Sequence, residues 1–221
     1  MSTSARYNIL LARVGQLVSH LLPTIDPTLS YSDKDRDLTR AFCLLCHAEL
    51  EAYLEDITKE VVDRAFTKWN LNKTIISPII FHLAYNYKQE AGKAKEPPFG
   101  MVFKSHQNLL DTIKKNNGIK ENNLLGFFRP IGYEIDPTLQ STLNDYGKTR
   151  GDIAHQSFNT QQPLDPATEK NNIHQILTEL AVFDTELNEY EASGTLNRTP
   201  VNMAWTTKTS IIDKIKKWFF S

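Results

Sequence analysis

Arginine and histidine at short fixed spacing are the residues of this 221-residue chain best suited to chemistry. Arg-x4–6-His occurs three times, as Arg13 to His20, Arg40 to His47 and Arg150 to His155. The first two pairs fall within apolar stripes of early helices and read as amphipathic packing. The third lies in the polar, glycine-flanked stretch DYGKTRGDIAHQS, where apolar periodicity does not account for it. Histidine exchanges protons near neutral pH, and arginine stays charged and can fork onto two oxygens of a phosphate. Together they suit proton transfer and charge stabilisation at a phosphodiester. Asp152, three residues before His155, shares its helical face and could orient the imidazole, or could be a solvated acid near a turn. Tyr146 and Lys148 flank the pair and could contact base or phosphate, with surface placement expected for both.

Cys43-Leu44-Leu45-Cys46-His47 has the spacing of a c-type haem attachment site. It lies inside a strongly periodic helical stretch, and the N-terminal segment reads as an amphipathic helix rather than a signal peptide. A structural zinc site would need a second ligand pair, which the sequence lacks. These residues are therefore expected to pack in a helix, and no metal or other cofactor is expected.

The elements that must position these residues read as helices throughout. Apolar residues recur at three and four, and sustained alternation is scarce. A first helix is expected over 4–22, with Ile9, Leu10, Val14, Leu17 and Leu21 inward, ending before Pro23. Ser32 and Asp35 form a capping-box pattern opening the longest helix, about 33–70. Its inward stripe is read as Leu38, Ala41, Phe42, Leu45, Ala48, Ala52, Ile57, Val61, Ala65, Phe66 and Trp69. Further helices are expected over 75–91, 102–115 and 122–128, with 92–100 an exposed loop and Arg129-Pro130 the stop of the last of these. Asp136-Pro137 and Asp165-Pro166 each open another helix. The second of these carries Ile173, Ile176, Leu177, Leu180, Phe183, Leu187 and Tyr190 inward. After Gly194 the chain reads as extended, then as a short basic amphipathic helix around Ile211 to Phe219, with Lys208, Lys214, Lys216 and Lys217. The fold class is all-α, a bundle of about six to seven helices over 1–194 with a C-terminal extension over 195–221.

In this setting Arg150-Gly151-Asp152-Ile153-Ala154-His155 resembles the HEPN superfamily, whose catalytic members carry Arg-x4–6-His late in an all-α bundle. FCLLCHAELEAYLEDI, residues 42–57, is similar to the long early helix of the RiboL-PSP-HEPN type, where an acid precedes a small and an aromatic residue, here Glu51-Ala52-Tyr53. The resemblance covers roughly residues 36–190. It implies that Arg150 and His155 are catalytic, that Glu51 is an accessory acid and that two copies form a composite site. One departure is Gly151, where members commonly place a polar residue; Asp152 could serve one position later.

Residues five apart on a helix point about 140° from each other, so Arg150 and His155 converge on one phosphate most easily across a two-fold axis. Lys+Arg 25 against Asp+Glu 26 excludes a globally basic nucleic-acid binder, so any RNA site must be local. The stretch Lys88 to Arg129 holds eight Lys or Arg against four acids and is either a solvated surface or a phosphate-tracking groove. The expectation is a cytoplasmic, metal-independent endoribonuclease acting through the RNA 2′-OH. It would be a homodimer, serving as a toxin or antiphage defence effector with a possible antitoxin partner. The alternative is a non-catalytic HEPN-like module binding a nucleotide or a protein.

Overall fold

The computed structural model describes residues 3–72, 77–87, 97–155 and 164–193. Seven helices and no strand are found among them. The expected exposed loop falls largely, and the C-terminal extension with its basic helix wholly, outside the described residues.

Helix α1, Ala5–Leu21, opens on Ser4, whose hydroxyl accepts the Tyr7 N–H. Its buried face is Tyr7, Leu10, Val14 and Leu17, whereas Ile9 is exposed, a correction to the expected stripe. Helix α2, Asp33–Asn72, runs 40 residues, about 60 Å at 1.5 Å per residue. Its capping box forms as expected. The Asp35 N–H donates to Ser32 Oγ at 3.2 Å, and the Ser32 N–H donates to Asp35 Oδ2 at 3.1 Å. Helix α2 touches each of the other six helices and is the spine of the bundle.

The inward face of α2 differs from the expected one in its first half. Phe42, Cys43, Cys46, His47, Leu50, Tyr53 and Leu54 are buried, while Leu45 and Ala48 face out. Both sides of this stretch are apolar, and the side bearing the aromatic and sulfur residues goes inward, consistent with its larger apolar surface. Cys43 and Cys46 are buried thiols, as helix packing requires.

Helix α3, Pro78–Tyr85, is shorter than expected because Ser77 caps it and Pro78 takes its first position. Helix α4, Pro98–Lys114, begins four residues before the expected Val102, with Pro98 again at the start. Helix α5, Glu121–Ile131, runs through Arg129-Pro130 rather than stopping there. In the last turn the proline removes one N–H bond without breaking the helix. The true stop is Gly132, at φ 71, with its N–H on the Arg129 carbonyl and the Tyr133 N–H on the Phe128 carbonyl. A Cβ at Gly132 would overlap the His82 ring.

Helix α6, Pro137–His155, and helix α7, Pro166–Ala192, start where the two Asp-Pro pairs place them. Asp136 and Asp165 accept the first backbone N–H groups of their helices. All seven expected inward residues of α7 are buried. Asp184 of α7 is fully buried and accepts from the Ser4 N–H and Ser4 hydroxyl, each at 2.6 Å, and from the Tyr53 hydroxyl at 2.8 Å. This carboxylate ties α1, α2 and α7 together.

Candidate active site

Helix α6 buries Leu139, Leu143, Tyr146, Gly147 and Ile153. Arg150 follows Tyr146 and Gly147 by one turn, so it emerges half-buried at the edge of that face. The far end of α6 is fixed by Arg40 of α2, whose guanidinium donates to the Ile153 carbonyl at 3.1 Å. Such a bond satisfies one carbonyl that the last turn leaves without a partner.

Three segments meet at Arg150. Helix α2 supplies His47 and Glu51, and the connection from α4 to α5 supplies Lys120. The His47 ring is buried and lies nearly parallel to the Tyr146 ring, at 6.5 Å between centroids and 15°. Its Nδ1 is 3.8 Å from a Glu51 carboxylate oxygen. Burial, followed by the charges of Arg150 and Lys120, pushes the His47 imidazole down to about 4, so it is neutral near pH 7. Burial and the neighbouring Glu55 raise the Glu51 carboxyl above its ordinary range, and Arg150 opposes them.

An asparagine orders the two acids. Asn116 Nδ2 donates to Glu55 at 2.8 Å, to the Gly118 carbonyl at 2.9 Å and to Glu51 at 3.3 Å. Asn123 in turn donates to Asn116 Oδ1 at 2.8 Å, which fixes the orientation of that amide. Two amide hydrogens serve three acceptors, and Glu51, at the longest distance, is the least committed.

Among the described residues, neither Arg150 nor Lys120 has a carboxylate within ion-pair distance, and neither has a side-chain hydrogen bond. The site therefore presents two cations, Arg150 and Lys120, beside a neutral imidazole and the paired carboxylates of Glu51 and Glu55.

The remaining sequence-designated residues are placed differently. His155 is the last residue of α6 and is exposed. Asp152 is exposed too, and no hydrogen bond joins it to His155 among the described residues. Lys148 is on the surface, paired with Asp145 at 2.9 Å. Tyr146 is a correction: it is 6% exposed, and its hydroxyl donates to the Cys43 carbonyl at 3.3 Å, so it supports the site from the core instead of reaching a base from the surface. Burial raises its phenol well above the ordinary range, which keeps it a donor.

Asn116 and Glu55 escape the sequence reading as site residues, Lys120 enters it only as one of the eight basic residues from Lys88 to Arg129, and His47 only as packing. Gly147 and Gly151, four apart in α6, are the signal that could have indicated a side chain lying against this helix. No three His, Cys, Asp or Glu side chains among the described residues are grouped as metal ligands, and no described helix is long and apolar enough to cross a membrane.

Compared with known proteins, the chain matches no curated protein and no solved structure. The profile of one family, RiboL-PSP-HEPN, matches residues 10–189, which span all of α2 to α6 with the candidate site and most of α1 and α7. On that match, and with the all-α bundle already described, the chain belongs to the RiboL-PSP-HEPN family.

Proposed function

We propose that this protein is a metal-independent endoribonuclease with Arg150 and His155 as its catalytic residues. The HEPN family is associated with ribonuclease-type function. The observation that carries the finer reading is that neither residue is spent on a hydrogen bond or ion pair among the described residues, although Arg150 is half-buried. A purely structural arginine at such a position ordinarily satisfies its donors within the fold.

In the reaction, the 2′-oxygen of a ribose bonds to the adjacent phosphorus as the bond from phosphorus to O5′ breaks. The products are a 2′,3′-cyclic phosphate and a 5′-hydroxyl. One proton leaves the 2′-OH and one reaches O5′, which a neutral and a protonated imidazole can manage between them. A two-fold dimer supplies both from its two copies of His155, and Arg150 neutralises the charge gathering on the phosphate. Helix α2 carries a stripe suited to that pairing: Ala41, Leu45, Ala48 and Ala52 recur at three and four beside Glu51 and Glu55, with Leu45 41% exposed. Glu51 is assigned an accessory role beside Arg150, Lys148 a peripheral contact to RNA, and Asp152 the orientation of His155 once substrate orders the exposed end of α6. The role proposed for this activity, by analogy with the HEPN superfamily, is that of a toxin or antiphage defence effector with an antitoxin or defence-system partner.

A mixed RNA pool is incubated in excess chelator with wild type, Arg150→Ala and His155→Ala, and product ends are analysed. Cleavage leaving cyclic phosphate ends that vanishes in both variants is the expected result. Cutting by His155→Ala at the parental rate refutes the assignment. Absence of cutting by all three, with each folded and dimeric, favours the non-catalytic binding module, the reading to which Gly151 lends weight.

A further inference from the structure

Lys120 stands where its residue type is locally unfavourable. It is the residue before the first turn of α5, and its side chain makes no cap bond there. Serine, threonine, aspartate or asparagine would be favoured at that position, and a cation so close to the positive end of a helix is repelled by it. The capping role passes partly to α6, where the side-chain Oδ1 of Asn144 accepts the Glu121 N–H at 3.4 Å.

The lysine side chain instead follows α6. A Cβ at Gly147 would come within 3.0 Å of Lys120 Cγ, and a Cβ at Gly151 within 3.8 Å of its Nζ. The stem therefore crosses the helix at Gly147, where a side chain would press tightly on it, and the ammonium reaches Gly151, the residue next to Arg150. Lys120 remains exposed and has no carboxylate within ion-pair distance among the described residues. Glu51 and Glu55 of α2, the acids of the site, are held by Asn116.

We propose that Lys120 is a second phosphate-binding cation of this site, carried to Arg150 along a groove that Gly147 and Gly151 open in α6. This inference rests on the RNA reading above and deepens it. Gly151, the departure from the family pattern, then has a physical reason: the polar group that a side chain at 151 would supply comes from Lys120, across the helix interface. Arg150 and Lys120 would share the charge of adjacent phosphates on one strand, Arg150 through its planar fork and Lys120 as a point charge.

The test uses a single-stranded 2′-O-methyl RNA, which binds but cannot be cut through the 2′-OH. Binding is measured over a salt series with wild type, Lys120→Ser, Lys120→Arg and Gly151→Asp, alongside each protein's Tm. For Lys120→Ser the slope of log affinity against log salt should become shallower by about 0.7, the loss of one phosphate contact to a single strand. Its Tm should stay level or rise, because serine is the better cap. Lys120→Arg should keep the wild-type slope. Gly151→Asp, with ordinary contact room for its Cβ, should mimic Lys120→Ser by pairing the ammonium. RNA binding by wild type with an unchanged slope in Lys120→Ser overturns the inference alone. A Tm fall of more than about 4 °C in Lys120→Ser, some 1–2 kcal/mol for a domain of this size, marks the lysine as structural and overturns it too. No RNA binding by wild type overturns both this inference and the nuclease reading beneath it.

Discussion

Acidification should weaken the fold through His47, and the size of the effect follows from its surroundings. The imidazole is buried beside Tyr146, with Arg150 and Lys120 nearby, and its value falls from 6.5 to about 4. The folded value is the lower one, so unfolding takes up a proton between these limits. The corresponding stability is fully present above pH 6.5 and is lost as pH falls through about 4. At about 1.36 kcal/mol per pH unit, the shift is equivalent to about 3 kcal/mol, of which about 2.5 kcal/mol has gone by pH 4.5. Urea unfolding at steps from pH 7.5 to 4.5 on wild type and His47→Gln isolates this contribution, because acids common to both proteins largely cancel in the difference. The wild-type advantage over His47→Gln should shrink by about 2.5 kcal/mol across that range. Arg150→Ala should make the decline smaller and end it at a higher pH, since one of the two cations opposing protonation of His47 is gone and its folded value moves back toward 6.5. A difference between wild type and His47→Gln that stays flat with pH would refute the picture of a buried neutral imidazole beside two cations.

Two further substitutions test the frame around the site. Asp184→Asn replaces a buried acceptor of three hydrogen bonds with a group that presents an NH2 to donors, and should cost about 3 kcal/mol by denaturant unfolding, at about 1.5–3 kcal/mol per bond to a charged group; a loss below about 1 kcal/mol would show the clamp to be incidental. Gly132→Ala forces a side chain into the left-handed region, at about 1–2 kcal/mol, and against the His82 ring, so Tm should drop by more than about 5 °C, and an unchanged Tm would contradict the tight closure of α5.

Much of the fold was legible because local chemistry and tertiary structure agree. Ser32 with Asp35, Asp136-Pro137 and Asp165-Pro166 each mark a helix start through bonds made within a few residues, and those bonds form. The inward stripe of α7 was readable because polar residues occupy most of its other faces. In the first half of α2 two apolar sides compete, and only the packing partners decide between them, so Leu45 and Ala48 were misassigned. Arg129-Pro130 misled because a proline in a final turn is tolerated, whereas Gly132 carried the actual stop signal. In the site, Arg150 stood out as a polar residue where periodicity gave no reason for one. Tyr146 was misread because a tyrosine beside a polar motif looks the same in sequence whether its hydroxyl faces water or a backbone carbonyl. Lys120 was counted only within the basic stretch from Lys88 to Arg129, and neither it nor Asn116 could be placed at the site, since that placement arises only when the connection from α4 to α5 is folded against α6 and α2.

The bond from Ser4 to Asp184 joins residues 180 positions apart, almost the full length of the described chain. Closing so long a loop costs entropy that grows with the logarithm of its length and is recovered only when the ends are packed. Helices α1 and α2 can pair as soon as both have left the ribosome, but the socket of Ser4 and Tyr53 stays empty until α7 arrives. Glu169, which accepts from the Cys43 thiol at 3.4 Å beneath Tyr146, arrives with the same helix. Glu51, Lys120, Arg150 and His155 are all synthesised earlier, so the order of translation places the side chains of the candidate site ahead of the helix that packs beneath Tyr146 and Cys43. A nascent chain thus holds every residue of the candidate site before α7, the last described helix, docks and completes the packing around it.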